Sequence, residues 1–283
     1  WDASRKTLFL AANCRTRETT LGGNLFRGFA SAKFLVAISQ PKAVEAVQAT
    51  QLPAGAANPP QVILPHAPGA VTKRTAIAGA HSLNEPNMPG RTAIDPAGLR
   101  ADLGKIIDYL AVDNLKHKRY QPRDGLTFCN IYAHDYCFLA NAYLPRVWWT
   151  ETARLRIAAG QTLEPKLGNT VDEIRANDLF RWLRDNSGSF GWVRATSVTE
   201  LQAHANHGGV SLIIARRKED GRSGHVVAVV PETAVEVARR DIKGNVTMPL
   251  QSQAGVVNFK YGLSAPNWWK DTKFAESALW MHG

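Results

Sequence analysis

Cys129 lies in the stretch Leu126-Thr127-Phe128-Cys129-Asn130-Ile131-Tyr132-Ala133-His134-Asp135-Tyr136, where a polar loop gives way to an amphipathic helix. Ninety-six residues further on, His225 follows a Ser223-Gly224 turn and opens the apolar run Val226-Val227-Ala228-Val229-Val230. A thiol is a poor nucleophile until it ionises. The unpaired amide N–H groups and partial positive charge of a helix N-terminus favour the thiolate. An imidazole within hydrogen-bond reach lowers the thiol pKa further and later protonates a leaving amine. The amide of Cys129 is itself a natural oxyanion donor. Each residue also has a plain structural use, the cysteine as a small core side chain and the histidine as a strand residue with a satisfied ring. Together, with Gly before His225 and an all-apolar strand after it, they read as the two halves of a cysteine hydrolase.

Other polar residues fit chemistry less well. Asp135 lies six residues along the Cys129 helix on a different face and reads as a helix or loop anchor; His134 fails on similar geometry. His204 and His207 flank the Gly208-Gly209 stop, where a cation at a helix C-terminus is favourable without catalysis. Neither an HExxH pattern nor a CxxC pair occurs, so no metal or other cofactor is expected. Trp148-Trp149 and Trp268-Trp269 are able to stack on sugar rings, although buried packing is the more ordinary use. Gly22-Gly23-Asn24 lacks the following Lys-Ser/Thr of a phosphate-cradling loop.

The elements that must position Cys129 and His225 are legible from periodicity. Asp95-Pro96 is a cap followed by proline at the first helical position, and Leu99, Leu103, Ile106, Ile107 and Leu110 form one buried face. The Cys129 helix follows, with Pro145 as its stop. Asn169-Thr170 is expected to cap a further helix carrying Ile174, Leu179, Trp182 and Leu183. Ser197-Val198-Thr199-Glu200 starts a short one that ends at Gly208-Gly209. Val210–Ala215 and His225–Val230 are β-prone and joined by a charged loop, which predicts an antiparallel hairpin. Strands are expected at 234–238, 246–250 and 255–259, completing a meander and an α+β class. Residues 1–50 show apolar spacing that predicts one or two helices. Residues 51–98 are rich in Pro, Gly, Ala and Asn, and read as a linker or an extended arm packed over a neighbouring surface. The expected division is therefore an N-terminal region of unknown role over 1–94 and a catalytic domain over 95–283.

Cys129-Asn130-Ile131-Tyr132-Ala133-His134-Asp135 resembles the helix start of papain-like peptidoglycan amidases and endopeptidases of the CHAP and NlpC kind. Ser223-Gly224-His225 and the strand after it are similar to their Gly-His element. The helix at 176–183, the Trp-containing stretch at 190–194 and the segment 199–208 fall in the matching order. The likeness covers about residues 120–262. It implies a papain-like α+β fold with N-terminal helices packed on an antiparallel sheet, Cys129 as nucleophile and His225 as general base and acid. It also implies a third group on the strand after the histidine strand, which nominates Gln253 and then Gln251. Glu232 is a rival, but a strand rising about 3.3 Å per residue would carry it some 23 Å from His225 unless the chain turns back.

The resemblance further implies cleavage of amide bonds in peptidoglycan by a secreted protein or one delivered to the bacterial periplasm or cell wall. Such a protein would be a lysin or antibacterial toxin, with an immunity or delivery protein as a partner. The same two residues would equally serve a protease or deamidase acting on proteins. A third reading makes the chain a non-catalytic structural or cargo protein with Cys129 in its core.

Composition is compatible with these readings. Of 283 residues, 45% are hydrophobic and 20% charged, as in a globular protein. The net charge of +10 favours anionic partners, cell-wall polymer among them. The basic residues are scattered and no nucleic-acid motif appears, so no nucleic-acid partner is expected. No apolar run reaches the roughly 18 residues that span a bilayer. Starting at Trp1 rather than Met, the chain reads as a processed or trimmed product, compatible with a removed leader. Of the three cysteines, Cys129 and Cys137 stand about 12 Å apart along one helix, too far to bridge. Cys14 has Cys137 as its more plausible partner, leaving Cys129 free.

Overall fold

A computed structural model of the protein describes residues 59–283 and, within the first 58 residues, four short strands. Two compact units separate at Pro53–Ala54, not at the expected 94/95 boundary. In the first unit, β1 (Thr7–Leu10) pairs antiparallel with β4 (Val36–Ser39), and β2 (Arg17–Leu21) with β3 (Asn24–Gly28). Helices are thus not formed at these positions. The register sets Leu21 opposite Asn24, and the Gly22-Gly23 pair between them in sequence is a short-hairpin signal that apolar spacing had obscured. Cys14, and with it any pairing to Cys137, lies outside the described residues.

The second unit runs α1 (Pro96–Leu110), α2 (Cys129–Leu139), β5 (Val147–Trp149), α3 (Glu151–Ala158), β6 (Val171–Glu173), α4 (Ala176–Asn186), β7 (Trp192–Arg194), α5 (Val198–Asn206), β8 (Val210–Arg217), β9 (His225–Val229), β10 (Arg239–Arg240), β11 (Val246–Met248), β12 (Gln251–Gln253), β13 (Phe259–Gly262) and β14 (Phe274–His282). It is an α+β unit built on a six-stranded sheet of order β13-β12-β9-β8-β14-β7, with every pairing antiparallel.

The β8–β9 hairpin is central, and each of its faces is covered. Leu212, Ile214, Val226 and Ala228 join the larger core with residues of α1, α2 and α4. Ile213, Ala215, Val227 and Val229 join a second core with Leu201 and Ala205 of α5, and with Trp269 and Phe274. Burial on both faces explains why these strands are apolar at every position rather than at alternate ones.

Helix starts follow their capping chemistry. Asp95 accepts from the amides of Ala97 and Gly98 ahead of α1, and Ser197 accepts from Glu200 N ahead of α5. Elsewhere tertiary pairing overrode local pattern. Residues 171–173 form β6 against β5, so α4 begins at Ala176 instead of behind an Asn169-Thr170 cap. α2 ends at Leu139, before Asn141 with its left-handed φ of 57° and well short of Pro145. Residues 234–238 form no strand, and the expected strand at 255–259 is displaced to β13. The longest strand, β14, was not anticipated; it returns from the C-terminus to lie between β8 and β7, which interrupts a simple meander.

The Pro-rich arm packs as part of this second unit. Val62, Leu64, Ala80 and Leu83 are buried in the larger core. Trp149 Nε1 donates to the Pro60 carbonyl at 2.9 Å, and Val62 N donates to the Tyr143 hydroxyl at 2.9 Å. Prolines suit an element whose hydrogen bonds go to side chains rather than to a ladder. Among the described residues, no helix is long and apolar enough to cross a membrane.

Candidate active site

The approach to Cys129 is a tight turn. Arg123 and Leu126 exchange backbone hydrogen bonds of 3.1 and 2.8 Å, and the two residues between them, Asp124 and Gly125, hold φ values of 53° and 73°. Two consecutive positive φ angles are the signature of a two-residue primed turn, for which Asp-Gly is a preferred pair. The chain then enters α2 through Phe128, which offers no side-chain cap. First-turn amides are thereby left free, and the amides of Asn130 and of Val226 on β9 both act to lower the Cys129 thiol pKa.

Three contacts fix α2 against its surroundings. Its body packs on β9 and β12. Asn130 Nδ2 donates to the Ile174 carbonyl at 2.7 Å, just ahead of α4. Tyr132, one turn beyond Cys129, shares a 2.5 Å hydrogen bond with Ser252 on β12, the neighbour of Gln253.

His225 is the first residue of β9, paired opposite Ala215, and its ring lies near enough to the Cys129 thiol for each group to shift the other's ionisation. On its other side, His225 Nε2 lies 2.8 Å from Gln253 Oε1. The β9–β12 register, with Gln251 opposite Val229 and Ser252 opposite Ala228, puts Gln253 diagonal to His225 on the same face, within reach of a long side chain. The amide orientation of Gln253 is settled by its other end, where Nε2 donates to the Val257 carbonyl at 3.0 Å. Oε1 must then face the imidazole, so Nε2 of His225 carries a proton and Nδ1 is left for the thiol. Trp268 packs edge-on against His225 with ring centroids 5.0 Å apart.

The electrostatics match this geometry. Burial pushes the Cys129 thiol pKa up, but the hydrogen bond and charge of His225 and the amides of Val226 and Asn130 outweigh it, and the thiol sits below its ordinary value. Burial pushes His225 down; the Cys129 hydrogen bond and charge, followed by the Gln253 hydrogen bond, bring it above its ordinary value against a small opposing effect of Lys273. The two groups stabilise each other as thiolate and imidazolium. The Cys137 thiol, buried on the same helix without such a partner, is pushed far above the ordinary range, as expected of a core cysteine.

The remaining sequence candidates are placed elsewhere. Gln251 is buried and accepts from Trp268 Nε1 at 3.1 Å instead of meeting His225. Glu232 binds Arg240, Asn206 Nδ2 and the Ala238 amide. Asp135 is an anchor: Arg119 Nε and Nη2 donate to it at 2.6 and 2.9 Å, and the Tyr120 hydroxyl at 2.9 Å, all in the interior. His134 donates from Nδ1 to the Leu144 carbonyl and accepts at Nε2 from the Ser82 hydroxyl. His204 pairs with the Ser211 hydroxyl. Trp148, Trp149 and Trp269 are buried. Sequence reasoning passed over Trp268 as a neighbour of His225, the Tyr132–Ser252 tie, and Asn177, since each depends on a long-range approach that no local pattern encodes.

Cys129 is 1% exposed and His225 half-buried. Two surface clefts, of about 830 and 410 Å³, are lined by other residues; the larger lies between α1 and the 231–237 loop, and chemistry rather than size identifies the site. No protein-family model, curated protein or solved structure matches the chain.

Proposed function

We propose that the second unit is a papain-like cysteine hydrolase that cleaves amide bonds in peptidoglycan. The observation that carries this reading is the His225–Gln253 pair beside Cys129: one amide fixes the imidazole tautomer, and the imidazole lowers the pKa of a thiol at a helix N-terminus. The Cys129 thiolate attacks the amide carbonyl, and the N–H of Cys129 donates to the developing oxyanion. Imidazolium Nδ1–H gives its proton to the leaving amine as the C–N bond breaks, leaving a thioester on Cys129. Water, deprotonated by His225, then attacks the thioester and releases the acid and the free thiol. Gln253 keeps the ring oriented throughout without changing protonation state.

Peptidoglycan as substrate is supported by the family resemblance of the Cys129 and His225 segments and by a net charge of +10, which suits an anionic wall. The test has two parts. Alkylation of Cys129 by iodoacetamide, followed by peptide mass spectrometry across pH, is expected to show a midpoint below the ordinary ~8.5 of a free thiol. In His225→Ala that midpoint should rise above the wild-type value, because burial is then opposed only by the amides of Val226 and Asn130. Purified peptidoglycan incubated with the protein should release new peptide fragments, and Cys129→Ser should abolish the release. Absence of fragments, with a protein substrate cut instead, would transfer the same chemistry to proteins. An ordinary thiol midpoint would remove the hydrolase reading altogether.

A further inference from the structure

The thiol–imidazole pair forms only if the chain re-enters the sheet at the right place, and one side chain outside the triad controls that re-entry. Asn177, in the first turn of α4, is 5% exposed and bonds at both ends of its amide to the loop joining β8 to β9. Its Oδ1 accepts from the Arg217 amide at 3.0 Å, at the last residue of β8. Its Nδ2 donates to the Arg222 carbonyl at 2.9 Å, three residues before His225. The loop is closed over this amide so tightly that a Cβ at Gly224 would lie 2.6 Å from Asn177 Oδ1 and would also meet the Ala215 carbonyl. Ala215 is the residue paired opposite His225. A second grip, Arg181 to Asp220, is exposed and contributes little in water.

α4 is held in turn on the Cys129 side. The Ile174 carbonyl, just ahead of α4, accepts from Asn130 Nδ2, the residue after Cys129. The segment 174–177 therefore holds a neighbour of each half of the pair, Asn130 through Ile174 and the loop before His225 through Asn177. An asparagine suits this position for a definite reason: one loop partner is an N–H and the other a carbonyl, and only a primary amide offers an acceptor and a donor at that separation.

We propose that Asn177 is a positioning residue for His225, holding the β8–β9 loop so that the imidazole meets the Cys129 sulfur. It acts through the loop and touches neither substrate nor sulfur. The proposal rests on the hydrolase reading of the site, and it is tested on thiol ionisation rather than on turnover so that the two can fail separately. The charged or titratable groups facing the pair are Cys129 and His225 themselves and Lys273, whose charge opposes protonation of His225; Asn177 adds no charge, so its loss changes ionisation only by moving the ring.

The experiment is the pH dependence of iodoacetamide labelling at Cys129, read by peptide mass spectrometry on the full chain for wild type, Asn177→Ala, Asn177→Ser and Asn186→Ala. Asn177→Ala, which loses both loop bonds, should move the midpoint upward and slow labelling about tenfold at pH values below it, in line with the cost of a small misplacement of catalytic groups. Asn177→Ser keeps a neutral polar group too short to span both loop partners, so its midpoint should fall between the two. Asn186→Ala, which removes only a bond from Nδ2 to the Trp182 carbonyl at the far end of α4, should leave the midpoint at its wild-type value. If Asn177→Ala does not fold, the Ser variant decides by the same midpoint. A folded Asn177 variant with an unchanged midpoint overturns the assignment while leaving the Cys129–His225 pair intact. An equal shift in Asn186→Ala overturns it too, by showing generic loosening of α4. An ordinary midpoint in the wild type overturns the pair and the assignment with it.

Discussion

Gln253 shows how much depends on a single neutral amide. Its oxygen is committed to His225 only because its nitrogen is held by the Val257 carbonyl. On the proposed hydrolase reading, Gln253→Ala should therefore lower kcat/KM by about ten- to a hundredfold through loss of ring orientation, with KM little changed. Gln253→Glu should recover part of the loss and extend activity to higher pH, because a carboxylate against Nε2–H raises the imidazole pKa; repulsion from the Val257 carbonyl keeps the recovery incomplete. Full activity in the alanine variant would reduce Gln253 to a bystander. Cys129 and His225 were legible in the sequence because each sits at an element boundary that local pattern marks. Gln253 was legible only as one of three, since the choice between it, Gln251 and Glu232 turns on strand register, which is fixed by pairing and not by the residues themselves.

At the scale of elements, the β8–β9 hairpin was readable because its strands are apolar throughout and end in a charged loop. The short strands β5, β6 and β7 were not, for three residues carry too little periodicity to register. β14 escaped because its sequence, Phe-Ala-Glu-Ser-Ala-Leu-Trp-Met-His, lacks strict alternation; pairing with β8 and β7 makes it a strand. The hairpin also contains the least replaceable backbone position near the site. Gly224→Ala would drive a methyl group into the Ala215 carbonyl and Asn177 Oδ1. A destabilisation of about 1–3 kcal/mol is expected from such overpacking, measurable as a lower urea midpoint with an unchanged m-value. A variant with wild-type stability would show that the loop relaxes freely and that the close approach at residue 224 has no consequence.

For the molecule as a whole, stability leans on polar groups that local sequence cannot pair. Arg119 and Asp135 are both fully buried. Removing one partner strands the other charge, so Asp135→Ala should cost about 3–5 kcal/mol, whereas a paired replacement of Arg119 and Asp135 by apolar residues should cost much less. Chemical denaturation of the single and double variants decides this, and equal losses in both would contradict it. Burial holds His134 neutral, with its pKa lowered to about 4, against about 6.5 in an unfolded chain. The unfolded state then binds more protons between those values, so stability should fall as pH drops from about 6.5 to about 4, by up to about 3 kcal/mol. His225, held above its ordinary value, gives the opposite slope at higher pH. His134→Gln isolates the effect: its stability should be flatter across the acidic window, and an unchanged slope would mean that other groups govern it.

The 1% exposure of Cys129 has a kinetic consequence. A thiol so buried reacts at a rate set by how often its surroundings open, multiplied by the reactivity of the open form. Small neutral reagents need a brief, shallow opening, while bulky ones need a deep and rare one. Labelling rates for a series of thiol reagents of graded size should therefore fall with reagent bulk, and equal rates across the series would show that the burial of Cys129 does not limit access.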